Sequence, residues 1–488
     1  MSSKIVRRID PEVRARTIER CRKHNILIPT FQQLRHPETI SPAIVAKLKK
    51  VGLWDVHPLN LFRISWKNDI VSGGYGAVNA IELPSELTGV RAKIIGLVGK
   101  YFPTGAHKVG AAFGCLVPRL VSGEFDPDNQ KAVWPSTGNY CRGGAFDCAL
   151  LDCTAIAILP EEMSKERFDW LREIGAEVIA TPGCESNVKE IYDKCAELRT
   201  DSHNVIFNQF EEFGNPIFHY NITGPALEEA LMSRYPKNRV AAFISATGSA
   251  GTIAAGDYLK SIYRDTKIVA TEALQCPTIY RNGFGAHRIE GIGDKHIPWV
   301  HNVRNTDAVA AIDDADCMAL LRLFNEPAGR EELLQVGIPE TTINNLPLLG
   351  ISSICNLLAA IKTAKYFEYD ENDTIVTVFT DSAEMYQSRL QELTASDGAY
   401  QSRNAIADYV AALQRQRIDA FRELNYYDRK AVHNLKYYTW VEQQGKSVEE
   451  LNAQWNPEYW KELFEEEIVE FDRMIEEFNY DTRLTYER

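Results

Sequence analysis

The sequence predicts an α/β protein built on open, twisted, mostly parallel sheets, with a helical extension at its C-terminal end. Three observations carry this expectation. Between about Ala92 and Ala395, short apolar runs alternate with amphipathic stretches of roughly 10 to 15 residues, the rhythm of strand–helix–strand units around a parallel sheet. At 488 residues the chain exceeds what one hydrophobic core serves, so two domains with extensions are expected. Beyond about Ala395 the alternation stops, and a charged, aromatic-rich helical pattern replaces it.

Taken in order, residues 1–60 are polar, with short helical patterns and prolines in Ile28-Pro29 and His57-Pro58, and read as an N-terminal extension packed on the body. Residues 61–114 and 213–395 are assigned to a large α/β domain and residues 115–212 to a small one. In the small domain CTAIAIL reads as a buried strand. Ser164 is placed as the cap of the helix KERFDWLREI, which Gly175 ends before the strand AEVIAT. In the large domain RVAAFISA is a strand entering the loop TGSAGT and the helix IAAGDYLKSIYR, and NDTIVTVFTDS is a late strand closing the sheet. Residues 396–488 form the helical extension. There Trp460, Leu463, Phe464, Ile468, Phe471, Met474, Ile475 and Phe478 follow 3–4 spacing and lay an apolar stripe on one face, suited to docking on the body or on a second subunit, with a regulatory ligand site as the alternative. No internal repeat or low-complexity linker interrupts the chain.

Composition narrows the function. Hydrophobic residues make up 45% and charged residues 25%, an ordinary globular balance. A net charge of −13 argues against nucleic acid or an anionic membrane as partner, because both need clustered Lys and Arg. An anionic small molecule stays open, since a local cradle of N–H groups outweighs a distant acidic surface. The N-terminal MSSKIVRRIDPEVRAR lacks the apolar core of a signal peptide, and no run reaches the ~20 apolar residues of a membrane span. The expected compartment is the cytoplasm. The ten cysteines include no Cys-x-x-Cys pair and no zinc-site spacing, so they are expected to be small hydrophobes and no metal site is expected.

Four segments carry chemistry. In KYFPTGAHKVGAAFG, Lys108 follows a small-residue turn and opens a helix of small residues. Such a lysine is either a solvated charge or, if desolvated, an amine of lowered pKa that attacks an aldehyde. The loop Thr247-Gly248-Ser249-Ala250-Gly251-Thr252 lies between a strand and a helix, where it is either a tight turn or a cradle of N–H groups for an anion. It matches neither nucleotide-binding glycine pattern. Ser136-Thr137-Gly138-Asn139-Tyr140 follows the strand KAVW; Asn139 is a turn former or an amide for a ring hydroxyl, and its neighbours are a turn or a carboxylate grip. Ser382 ends the strand TIVTVFT, as hydroxyls often do.

In this order, with LPEEMSKERFDWLREIGAEV, FGNPIFHYNITGP, HRIEGIGDKHIP and FTDSAEMY, the chain resembles the fold-type II pyridoxal-phosphate enzymes, most closely the cysteine synthase and cystathionine β-synthase group, over roughly Ala92 to Ser388. The resemblance implies the two-domain, tryptophan-synthase-β-like fold and pyridoxal 5'-phosphate as cofactor. It makes Lys108 the Schiff-base lysine, Asn139 the partner of the ring hydroxyl, Gly248, Ser249, Ala250, Gly251 and Thr252 the phosphate loop, and Ser382 the hydroxyl facing the pyridine nitrogen. Ser136, Thr137 and Gly138 become the substrate-carboxylate clamp, and Gly291-Ile292-Gly293 line the substrate side. There are departures. Tyr140 stands where a small hydroxyl residue is usual and is expected to reshape the clamp. Ser249 and Ala250 replace Thr and Gly, and Asp294-Lys295-His296 adds charge. The C-terminal region resembles neither a short cysteine synthase tail nor a tandem regulatory module, and Cys21 and His24 make no convincing haem site.

The resemblance also implies a mechanism. The cofactor acidifies the substrate Cα–H, Lys108 takes the proton, and a neutral Ser382 leaves the ring largely unprotonated. That combination suits expulsion of a β-leaving group to give an aminoacrylate. The expected activity is β-replacement on a serine- or cysteine-like amino acid. The alternatives are a β-elimination lyase or deaminase releasing pyruvate and ammonia, and a non-catalytic relative of the fold. A homodimer is expected.

Overall fold

The computed structural model describes residues 5–6, 8–136, 138–183, 187–293 and 295–484. A two-stranded ribbon, β1 (Asn68–Asp69) with β2 (Gly74–Tyr75), precedes the main sheets. The larger sheet collects β3 (Ala80–Leu83), β4 (Lys93–Val98), β9 (Arg239–Ala246), β10 (Lys267–Ala273), β11 (Ala308–Ile312), β12 (Asp373–Phe379) and β13 (Phe421–Glu423) in the order β13-β11-β10-β9-β12-β4-β3. Its five inner strands are parallel and the two edges antiparallel. The smaller sheet is all parallel, in the order β7-β6-β5-β8, from β5 (Lys131–Pro135), β6 (Thr154–Pro160), β7 (Glu177–Thr181) and β8 (Asn204–Ile206). It lies wholly within 115–212.

Burial follows the apolar runs. All seven residues of β12 are buried, which is what a strand covered on both faces requires. It does not close the sheet, as its late position suggested, but is an inner strand between β9 and β4. The helix Lys108–Ser122 is buried at every residue after Lys108. Ser164 does occupy the N-cap of the helix Lys165–Glu173, but its hydroxyl takes no helix N–H. Gly175 ends that helix with φ +85°.

The C-terminal stripe splits into two helices, Pro457–Glu465 and Glu467–Thr482, whose Trp460, Leu463, Phe464, Phe471, Met474, Ile475 and Phe478 are buried. It docks within its own chain. Phe471 and Phe113 flank Phe31, at 6.1 and 5.5 Å between centroids. Asp472 accepts the N–H groups of Phe31 and Gln32 at 2.6 and 3.0 Å, and Arg14 pairs with Asp481 at 2.7 Å. The extension is not purely helical either, because β13 pairs with the edge strand β11. Among the described residues no helix is long and apolar enough to cross a membrane.

Candidate active site

Parallel strands aim their C-terminal ends at one rim of a sheet, and ligands of open α/β sheets gather there. Lys108, the 136–140 segment, the Gly-rich loop and Ser382 follow the ends of β4, β5, β9 and β12, and Gly291 lies between β10 and β11. Lys108 opens the helix after β4, and its Nζ donates to the Gly291 carbonyl at 3.3 Å, so the substrate-side segment and the lysine are in contact. Behind it His107 is buried, stacked on Trp66 and edge-on to His219. Burial, aided by the Lys108 charge, pushes the His107 imidazole down to about 3, so it is neutral near pH 7. Its Nε2 meets Thr252 Oγ at 3.3 Å, tying the lysine turn to the end of the Gly-rich loop.

That loop has the construction of an anion cradle. Ala250 takes φ +59°, a turn that faces successive N–H groups the same way. Among the described residues, no acceptor takes the N–H groups of Gly248, Ser249, Ala250 or Thr252. The loop is held from behind by Asn215, whose amide donates to Ser249 Oγ and Gln209 O, both at 3.0 Å. A Cβ on Gly251 would stand 1.9 Å from Asn215 Oδ1, so only glycine fits. Gly248 lies against the Gly291 carbonyl, and Gly293 N–H donates to Thr247 O at 3.0 Å. Unpaired, converging N–H groups beside a lysine are what a phosphorylated aldehyde needs.

At the end of β5, Ser136 Oγ accepts the Gly138 N–H at 3.0 Å. Gly138 has φ +151° and packs so tightly on Arg167 that a Cβ would stand 2.2 Å from Nη1. Thr137 lies outside the described residues, as does Asp294. Asn139 is buried and donates from Nδ2 to Asp381 Oδ2 at 2.7 Å, which leaves the second Nδ2 hydrogen for a ligand. Ser382 is buried at the end of β12, next to Asp381, with its carbonyl accepting Met385 N–H.

Tyr140 corrects the expectation placed on it. Its ring is fully buried, edge-on to Trp134 at 5.4 Å, in the core rather than in the clamp. Burial pushes its phenol well above the ordinary range, with the Cys115 thiol adding to the shift. A helix starting at Asn139 turns successive side chains by about 100°. Asn139 accordingly turns to Asp381, and Tyr140 to Trp134 and Cys115.

Four residues went unnoticed in the sequence. Asp381, Arg167, Glu290 and Tyr386 are buried together: Tyr386 OH donates to Asp381 Oδ2 at 2.8 Å, Arg167 Nη2 donates to Tyr386 OH at 3.0 Å, and Arg167 Nη1 pairs with Glu290 Oε2 at 3.1 Å. Burial raises the Asp381 carboxyl above the usual carboxylate range, against the Arg167 charge and the hydrogen bonds from Asn139 and Tyr386. The available signal was a charged residue inside each of the segments LPEEMSKERFDW, HRIEGIG and FTDSAEMY.

Comparison with known proteins agrees with this geometry. The family model described as "Pyridoxal-phosphate dependent enzyme" matches residues 100–381. Cysteine synthase of Staphylococcus aureus is 31% identical over 287 residues, covering 59% of this chain and 84% of that protein. Cystathionine beta-synthase of Saccharomyces cerevisiae is 26% identical over 318 residues, covering 63% of this chain and 59% of that protein. Among solved structures, a hydrogen sulfide-producing enzyme from Fusobacterium nucleatum superposes with a TM-score of 0.54 at 26% identity, covering 63% of this chain and 95% of that one. With its lysine, its Gly-rich loop and this match, the chain belongs to the pyridoxal-phosphate-dependent enzymes, in the fold-type II group of the cysteine synthases and cystathionine β-synthases.

Proposed function

We propose that this enzyme catalyses β-replacement on a serine- or cysteine-like amino acid, with Lys108 carrying the cofactor. One observation supports the reading above others: the Lys108 amine lies on the Gly291 carbonyl, close to the unpaired N–H groups of the 248–252 loop. Bound pyridoxal phosphate supplies the electron sink that acidifies the substrate Cα–H. The chain's own residues do the rest. Gly248 to Thr252 hold the phosphate by backbone N–H groups, and Asn139 orients the ring through its free amide hydrogen. Lys108, which would hold the cofactor, would take the substrate Cα proton. Ser136, Thr137 and Gly138 hold the substrate carboxylate, and Gly291 borders the substrate. Ser382 offers the ring nitrogen a neutral hydroxyl, which favours loss of a β-leaving group over transamination.

Cysteine synthase relatives support replacement over plain elimination. The same reading carries a homodimeric, cytoplasmic enzyme, which sedimentation and fractionation check. The deciding experiment incubates purified enzyme and cofactor with β-substituted alanines, O-acetylserine among them, with and without sulfide or a thiol. A thiol-dependent amino-acid product is expected. Pyruvate and ammonia in equal yield with and without thiol would overturn replacement in favour of elimination.

A further inference from the structure

Arg167 is fully buried, at 0% side-chain exposure, in the first turn of a small-domain helix, and it touches three parts of the site at once. Its Nη1 packs against the backbone of Gly138, where a Cβ would stand at 2.2 Å, so it backs the carboxylate clamp. Its Nη2 donates to Tyr386 OH, which donates to the Asp381 oxygen that holds Asn139, so it backs the ring-side amide. Its Nη1 also pairs with Glu290, which precedes Gly291 in the substrate-side loop. Arg389 binds the other Glu290 oxygen at 2.6 Å and reaches the Glu162 carbonyl, while Glu166 takes both the N–H and Oγ of Ser388 at 2.8 Å. Three acids, Asp381, Glu290 and Glu166, and two arginines, Arg167 and Arg389, thus gather where the small-sheet side meets the segment 381–389.

We propose that Arg167 is a positioning residue that sets the separation of the clamp loop from the Glu290–Gly291 loop and, through Tyr386 and Asp381, fixes the Asn139 amide. A planar guanidinium is suited to this role, because its donors are fixed in one fork and hold several acceptors at set angles. A lysine at the same place keeps the charge but loses the fork. The proposal rests on the reading that these loops form the amino-acid site.

The test compares holoenzymes of Arg167→Lys, Glu290→Gln and Tyr386→Phe with the parent. The last two each change one polar group and leave no void. Three quantities are read: visible absorbance of the Lys108-bound cofactor, its spectral response to titrated amino acid, and kcat against KM. Arg167→Lys and Glu290→Gln are expected to keep cofactor stoichiometry, raise the amino-acid KM and the titration midpoint more than tenfold, and lower kcat less than threefold. Tyr386→Phe is expected to alter the cofactor spectrum before any substrate is added, since the Asp381 carboxylate that holds Asn139 loses the Tyr386 bond that fixes it. If Arg167→Lys fails to fold, the other two variants decide. Midpoints within twofold of the parent in Glu290→Gln, with an unchanged spectrum in Tyr386→Phe, overturn the proposal. A parent holoenzyme that shows no response to any amino acid sinks the functional reading instead.

Discussion

Adding one methyl group to the Gly-rich loop, by Gly251→Ala, should loosen cofactor binding by displacing Asn215. The φ of Gly251 lies outside the left-handed region, so alanine brings no backbone strain. The new Cβ would stand 1.9 Å from Asn215 Oδ1, and Asn215 must move, giving up its bonds to Ser249 Oγ and Gln209 O. Two buried hydrogen bonds are worth about 1 kcal/mol each, and residual overpacking adds ~1–2 kcal/mol. A loss of about 3–4 kcal/mol at the loop corresponds to a cofactor Kd raised roughly 150- to 1,000-fold. The assay is a fluorescence titration of cofactor-depleted protein with pyridoxal phosphate. Asn215→Ala alone loses the bonds and should cost about 2 kcal/mol; the double variant, with the clash gone, should cost no more. Additive losses in the double variant, or a Gly251→Ala Kd within threefold of the parent, would refute the reasoning.

Lys108→Ala should abolish both the visible cofactor band and turnover, and borohydride reduction should label Lys108; a label on another lysine refutes the assignment. Because Tyr140 lies in the core, Tyr140→Thr should leave a cavity and cost about 3–5 kcal/mol of stability. Tyr140→Phe should leave the ranking of amino-acid substrates by kcat/KM unchanged, and a reordering would return the phenol to the site. Asp147 is fully buried, and burial alone raises its carboxyl well above the ordinary range. A raised folded pKa contributes stability at low pH, below the ordinary carboxylate value, that is lost as pH rises toward the folded value. Asp147→Asn does not titrate, so its urea midpoint should gain on the parent between pH 4 and pH 8; a constant difference across that range removes the effect.

What was legible in the sequence was whatever local chemistry dictates. The turn before Lys108, the small residues of 247–252 and the apolar run of β12 each declare their role within a dozen residues. Tyr140 did not, because its direction depends on where the helix begins, and only the Gly138 turn sets that start. Arg167, Glu290 and Asp381 are charged residues on three separated segments, and nothing in a linear pattern says that they meet in the dark. The strand β13 was hidden for another reason. Three residues, Phe-Arg-Glu, are too short and polar to declare a strand, and pairing with β11 alone makes them one.

The pairing of the first helix with the last has a consequence for how the molecule is made. Arg22 in Pro11–Lys23 donates to the Thr482 and Asp481 carbonyls at 2.8 and 3.0 Å, and Arg14 salt-bridges Asp481. A ribosome adds roughly 5–20 residues per second, so the early helix emerges some 20 to 90 seconds before its partner exists. Through that interval Arg14 and Arg22 lack the carboxylate and carbonyl partners they bind in the finished fold. The first helix is therefore made early and completes its contacts late, only once the final helix has been added.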